Sequence, residues 1–238
     1  MKTAKAIFCF FMFLALLPDT ASAQRYGEKR SVAMVVQLQG QPPAVAADER
    51  MRVYLEQRGF TVKMIDQMDP ASMADGVDVI LISSSVSARK LEGKYRRTPI
   101  PVVLWESYLL PHMGMSGLHE EVDYGTIEGH RYLWLVNAPH PLAAGRPAGL
   151  LNVYEKGAAL NWARPGLGAS IIATVPGERE KALVFAYEAG ATMDYENLAP
   201  AARVFLFMDA TFPNLNEAGL SLFDSAVQWA LARRTTKK

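Results

Sequence analysis

The strongest constraint on this chain is the segment 77–82, VDVILI, which is continuously apolar beyond Asp78. A strand with one wet face alternates apolar and polar residues. A strand apolar at every position is covered on both faces, as in the middle of a parallel sheet. The flanking sequence repeats this theme. Residues 31–38 (SVAMVVQL) form a β-rich run broken by Gly40-Gln41-Pro42-Pro43. A helical stretch follows, with Val45, Met51, Tyr54 and Leu55 as its apolar stripe and Gly59 as its stop. Residues 60–65 (FTVKMI) supply a second strand, 88–97 a basic helical crossover, and 101–105 (PVVLW) a fourth strand. Strand and helix alternating in this order predict a doubly wound α/β fold, a mainly parallel sheet with helices on both faces.

Beyond Glu106 the pattern changes. Residues 108–129 carry no sustained period, and 131–136, 151–154, 170–175, 182–187 and 203–208 are short β-like runs between Gly/Pro turns. With no long helix among them, they predict antiparallel additions to the sheet in the C-terminal half. The chain closes on an amphipathic helix carrying Leu220, Phe223, Val227 and Leu231. Asn216 is placed to cap its start, and Arg233 and Arg234 suit the dipole at its end. No repeat or linker divides residues 24–238, so a single domain is expected.

The first 23 residues read as a secretory signal. Lys2 and Lys5 precede a twelve-residue apolar run too short to span a bilayer. Ala21-Ser22-Ala23 then supplies a small-residue cleavage pattern, placing the cut between Ala23 and Gln24. The chain's one cysteine, Cys9, lies inside this segment. The mature chain is thus expected to be exported, to the periplasm or the extracellular space, without a cysteine and without a membrane span. That excludes disulfides, thiolate metal sites and a cysteine nucleophile together. Without the signal, 23 basic residues balance 23 acidic ones, which offers no footprint for nucleic acid.

A doubly wound sheet binds ligands at the carboxyl ends of its strands, where the strand order reverses. After the first strand, Gln39-Gly40-Gln41-Pro42-Pro43 has neither the glycines of a dinucleotide site nor a phosphate-loop lysine, and no cofactor is expected. After the third come Ser83, Ser84 and Ser85, which either cap the next helix or hold an anion through amides and hydroxyls. After the fourth come Trp105 and Glu106. A carboxylate there is costly to desolvate and its pKa is easily raised, as a general acid or base requires; a helix cap or ion pair is the structural alternative. His112, His119, His130 and His140 have no metal-ligand spacing, so no metal is expected. His119 with Glu120, Glu121 and Asp123 reads as a solvated acidic loop. His140 is held between Pro139 and Pro141, and Glu188 and Asp209 end two late strands. Trp134, Trp162 and Trp229 read as core or lid aromatics.

Residues 77–106, 137–145 (NAPHPLAAG), 183–193 (LVFAYEAGATM) and 203–230 resemble the ThuA-like (trehalose-utilisation) and class I glutamine-amidotransferase-like, flavodoxin-like domains. His140 to Gly145, HPLAAG, is the most specific piece. The resemblance implies a mainly parallel sheet with its pocket at the strand carboxyl ends. In the amidotransferase branch a cysteine follows the fourth strand in a tight elbow, and a His-Glu pair completes a triad. Here Glu106 stands near the cysteine position without flanking glycines, and Met208-Asp209-Ala210 replaces the histidine. Ser83-Ser84-Ser85 stands where that branch has its oxyanion loop. Cysteine-dependent glutaminase chemistry is therefore excluded. What remains is an exported, degenerate domain that binds a small polar ligand, a carbohydrate by the ThuA link, or a secreted protein partner. Its expected pocket comprises Ser84, Ser85, Trp105, His140, Glu188 and Asp209. The alternative is a carbohydrate-related enzyme with Glu106 as general acid or base.

Overall fold

The computed structural model describes residues 25–194 and 197–234, so the expected signal and its cleavage point at Ala23 and Gln24 lie outside the described residues. The first half alternates as the sequence predicts. Strand β1 (Ser31–Val36) leads to helix α1 (Pro42–Gln57), then β2 (Thr61–Asp66) and β3 (Val79–Ile82). One helical turn, α2 (Ala88–Leu91), precedes β4 (Val102–Leu104), and another, α3 (Leu110–Met113), follows it. The expected 88–97 crossover is thus cut short: Glu92 turns to φ 48°, and Gly93 follows with the His112 carbonyl beside it.

The second half adds β5 (Tyr124–His130), β6 (Tyr132–Leu135), β7 (Gly149–Asn152), β8 (Ala158–Ala163), β9 (Ser170–Val175) and β10 (Glu178–Tyr187). Strand β11 (Arg203–Phe205) and helix α4 (Glu217–Ala232) complete the fold. Two of these strands, β5 and β8, were not expected. Gly125 and Gly129 interrupt the first, and the polar Asn161 sits inside the second. The side chain of Asn216 caps α4 as predicted, accepting from the Gly219 amide at 3.0 Å.

The main path of the sheet runs β2-β1-β3-β4-β11-β10-β9-β6-β7, with β8 branching from β10 and β5 pairing β8. Strands β2, β1, β3, β4 and β11 are mutually parallel, and the later pairings are antiparallel. The run expected as the last antiparallel addition, 203–208, therefore corrects to a parallel strand: β11 is buried at all three positions and sits beside β4. Alternate side chains of the parallel strands face two cores. Val32, Met34, Val79 and Leu81 pack under α1 and α4, while Ala33, Val35, Ile80 and Ile82 pack with Leu91, Leu109 and Leu110. Trp162 and Trp229 are buried as expected, but Trp134 lies on the outer face of β6 and is 46% exposed. Among the described residues no helix is long and apolar enough to cross a membrane.

Candidate functional site

The parallel register decides which side chains meet at the carboxyl edge. Ile82 of β3 is level with Leu104 of β4, and Leu104 is level with Phe205 of β11. Two residues further on, Ser84 and Glu106 emerge side by side from adjacent strands. The Trp105 amide still donates to the Ile82 carbonyl at 3.3 Å, so the ladder holds up to the site. Trp105 itself points inward, 1% exposed and edge-on to Phe223, and is a core residue and not a pocket wall.

Asn161, on β8, ties this edge together. Its Nδ2 donates to the carbonyls of Trp105 at 2.7 Å and Met208 at 2.8 Å. Its Oδ1 accepts from the Thr126 hydroxyl at 2.7 Å and from Ser107 at 3.4 Å. One buried amide thus joins the residues preceding Glu106 and Asp209 and brings the two carboxyl groups into electrostatic contact. The sequence reading missed Asn161. Its one signal was an amide among apolar residues in AALNWA, a group that must find partners if buried.

Glu106 is 9% exposed and does two things at once. Its Oε1 accepts the Tyr108 amide at 2.9 Å, capping the single 3-10 turn at Ser107–Leu109. Burial pushes its carboxyl up to about 8, with Asp209 adding to the rise and the Tyr108 amide opposing it. At neutral pH the group is mostly protonated, able to donate a hydrogen bond or a proton. Asp209 is half-buried beyond β11, in a turn where its amide and the Tyr154 hydroxyl both meet Thr211.

The serines do not cap α2. That position belongs to Ser87, whose side chain makes no capping bond. Instead the Ser83 hydroxyl donates to Asp48 Oδ1 at 2.5 Å, and Ser85 Oγ accepts the Gln37 amide at 3.2 Å. The Ser84 hydroxyl is buried without a hydrogen-bond partner.

His140 and Glu188 are not part of this edge. Strand β10 runs antiparallel to β11, so Tyr187 is level with Arg203 and Glu188 leaves at the opposite, amino end of the parallel strands. There Glu188 accepts from Arg233 Nε at 2.7 Å, the Arg233 guanidinium lies 3.8 Å over Trp229, and the His140 ring centroid is 5.8 Å from that of Trp229. The His140 Nδ1 accepts the Leu142 amide at 3.2 Å, so the histidine caps the short turn at Pro141–Ala143. Burial, then Arg233, hold its imidazole below the ordinary range, against Glu188. The six expected pocket residues therefore separate: Ser84 and Asp209 follow the strands flanking Glu106 at the carboxyl edge, Ser85 turns toward Gln37 and Asp48, His140 and Glu188 lie at the amino edge, and Trp105 is core. Among the described residues no three His, Asp or Glu side chains gather as metal ligands, and His119 is paired with Asp123 at 3.2 Å.

Comparison with known proteins places the fold. No family model matches the sequence, and no curated protein matches it. Solved structures do. A protein of Bacteroides uniformis described as ThuA-like aligns with TM-score 0.55 at 11% identity, over 86% of this chain and 92% of its own. A protein of Parabacteroides merdae with the same description aligns at 0.52 and 14% identity, over 88% and 92%. A Thermoplasma acidophilum protein, described as one of the subunits of a GMP synthase, aligns at 0.54 and 14%, over 85% and 95%. The chain shares the ThuA-like and amidotransferase-like fold. At these identities the likeness is one of architecture, and chemistry has to be argued from the side chains.

Proposed function

We propose that the protein binds a small, hydroxyl-rich polar ligand at the carboxyl edge of β4 and β11, on an amidotransferase-like scaffold without the cysteine triad. The observation that carries this reading is Glu106, a buried carboxyl raised to about 8 beside a second carboxyl, Asp209, at the edge where doubly wound sheets take ligands. A protonated Glu106 beside the carboxyl oxygens of Asp209 offers a donor and acceptors together, which suits a sugar hydroxyl pair.

A second reading follows from the same carboxyl. A carboxyl raised to about 8 beside a second carboxyl is an arrangement suited to a general acid. In this reading the ligand is turned over, with Glu106 delivering the proton. We also propose that the chain works outside the cytoplasm, on the strength of the leader pattern in residues 1–23.

Thermal-shift screening of the purified protein against monosaccharides, disaccharides and sugar acids tests the binding reading, because a specific ligand raises the melting temperature by mass action. A saturable shift that Glu106→Ala abolishes is expected. Shifts that persist unchanged in Glu106→Ala overturn the assignment. Product formation from a hit compound, lost in Glu106→Gln, distinguishes turnover from binding.

A further inference from the structure

Trp105, Trp162 and Trp229 are buried, but Trp134 stands open to solvent on the outer face of β6. A single exposed indole needs no explanation by itself. This one walls a cavity of about 360 Å³, whose other sides are Val136, Thr174, Val175, Gly177 and Arg179. The pairing of the strands explains the grouping. Trp134 is level with Thr174 of β9, so the two side chains leave the same face of the sheet. The turn at Pro176 and Gly177, with φ 84° at Gly177, folds β10 back on β9 and sets Glu178 level with Val175. That return brings Arg179 to the cavity.

The polar groups of this wall are open to a bound molecule. Thr174 is 3% exposed, and its hydroxyl has no hydrogen-bond partner among the described residues. Unlike the Ser84 hydroxyl, it is not sealed from solvent. Arg179 is exposed and forms no ion pair among the described residues, while its neighbour Glu178 is engaged by Lys181 at 2.6 Å. Among the residues lining the cavity, Arg179 is the one charged side chain. An apolar wall with a few placed polar groups is the make-up of a small-molecule site. The charge selects an anion, because a guanidinium takes a carboxylate through two parallel N–H···O bonds. The face of the indole selects a ring, which it meets in an offset or edge-on arrangement.

We infer that this cavity binds a small aromatic carboxylate, at a site that shares no residue with the Glu106 edge. The ring packs against Trp134, Val136 and Val175, and the carboxylate accepts from Arg179 and the Thr174 hydroxyl. The matching amide fills the same walls but brings no charge to Arg179.

Isothermal titration of the purified protein with 3-phenylpropanoate tests this, with 3-phenylpropanamide as the neutral isostere and propanoate as the acid without a ring. Saturable one-to-one binding of 3-phenylpropanoate is expected, about tenfold or more tighter than either control. Arg179→Gln breaks no internal contact, so it should melt as wild type does and bind the acid no better than the amide. Trp134→Ala should abolish binding, and Arg179→Gln decides the question even if that variant fails to fold. Because the other three tryptophans are buried, acrylamide quenching of the emission reports on Trp134, and the bound acid should reduce it. Equal affinity for the acid and either control, undiminished binding in either folded variant, unchanged quenching at saturation, or no saturable binding across millimolar concentrations overturns the inference. Self-association that shields Trp134 without the acid also overturns it, making this face a contact between copies of the chain.

Discussion

Glu106 is shaped by two opposing demands, capping a turn through one oxygen and surviving burial by holding its proton. The folded carboxyl titrates near 8 against 4.5 for an ordinary glutamate. Between those values the folded protein keeps a proton that the unfolded chain releases, so this group's contribution to stability is complete below pH 4.5 and declines until about pH 8. The amide of Glu106→Gln keeps the Tyr108 bond and does not titrate. Its melting temperature should match wild type near pH 4.5 and exceed it increasingly toward pH 8, by roughly 2–4 kcal/mol in stability. Denaturant melts at several pH values check this, and a parallel pair of curves refutes it. Asn161 carries the complementary prediction. Asn161→Ala strands the Trp105 and Met208 carbonyls in a buried site and should cost roughly 2–4 kcal/mol in urea denaturation. It should also loosen the approach of Asp209 to Glu106, so the Glu106 pKa read by carbon-13 NMR should fall.

At the scale of elements, the turn at residues 140–145 separates what the sequence showed from what it hid. The HPLAAG segment was its most specific motif, and it proves to be a built turn. His140 caps it, Leu142 and Ala143 are buried, and Ala144 and Gly145 both take positive φ. Replacing the histidine by alanine should therefore cost about 1 kcal/mol, the worth of a cap, and leave ligand binding at Glu106 unchanged. Differential scanning calorimetry and titration of one sample separate the two effects. The parallel strands were legible because burial on both faces leaves nothing but apolar residues, as in Val79–Ile82. Helix α4 was legible through its stripe and its Asn216 cap. Strands β5 and β8 were not, since glycine and a buried asparagine break the alternation that marks a strand. The direction of β11 was hidden too, because a short β-like run such as 203–208 says nothing about which neighbour it joins. Partners distant in sequence decide both.

Across the whole molecule, the carboxyl edge collects Ser84, Glu106 and Asp209 from three parallel strands, and the amino edge collects His140, Glu188 and Arg233 around Trp229. Sequence position alone could not divide them, because the antiparallel turn of β10 sends Glu188 the opposite way from Asp209. Export belongs to this scale as well. Protein recovered from the periplasm or medium should begin at Gln24 by mass spectrometry, and a chain retaining Cys9 contradicts the expected cleavage. The central claim rests on the edge itself, and the most direct measurement is the affinity of a ligand found by screening for wild type and Glu106→Ala at pH 7, with the melting temperature taken on the same samples. A variant that still unfolds in one cooperative transition but binds about tenfold or more weakly, a loss of ~1.4 kcal/mol, is the predicted result. A stable variant that binds every such ligand with wild-type affinity contradicts the account.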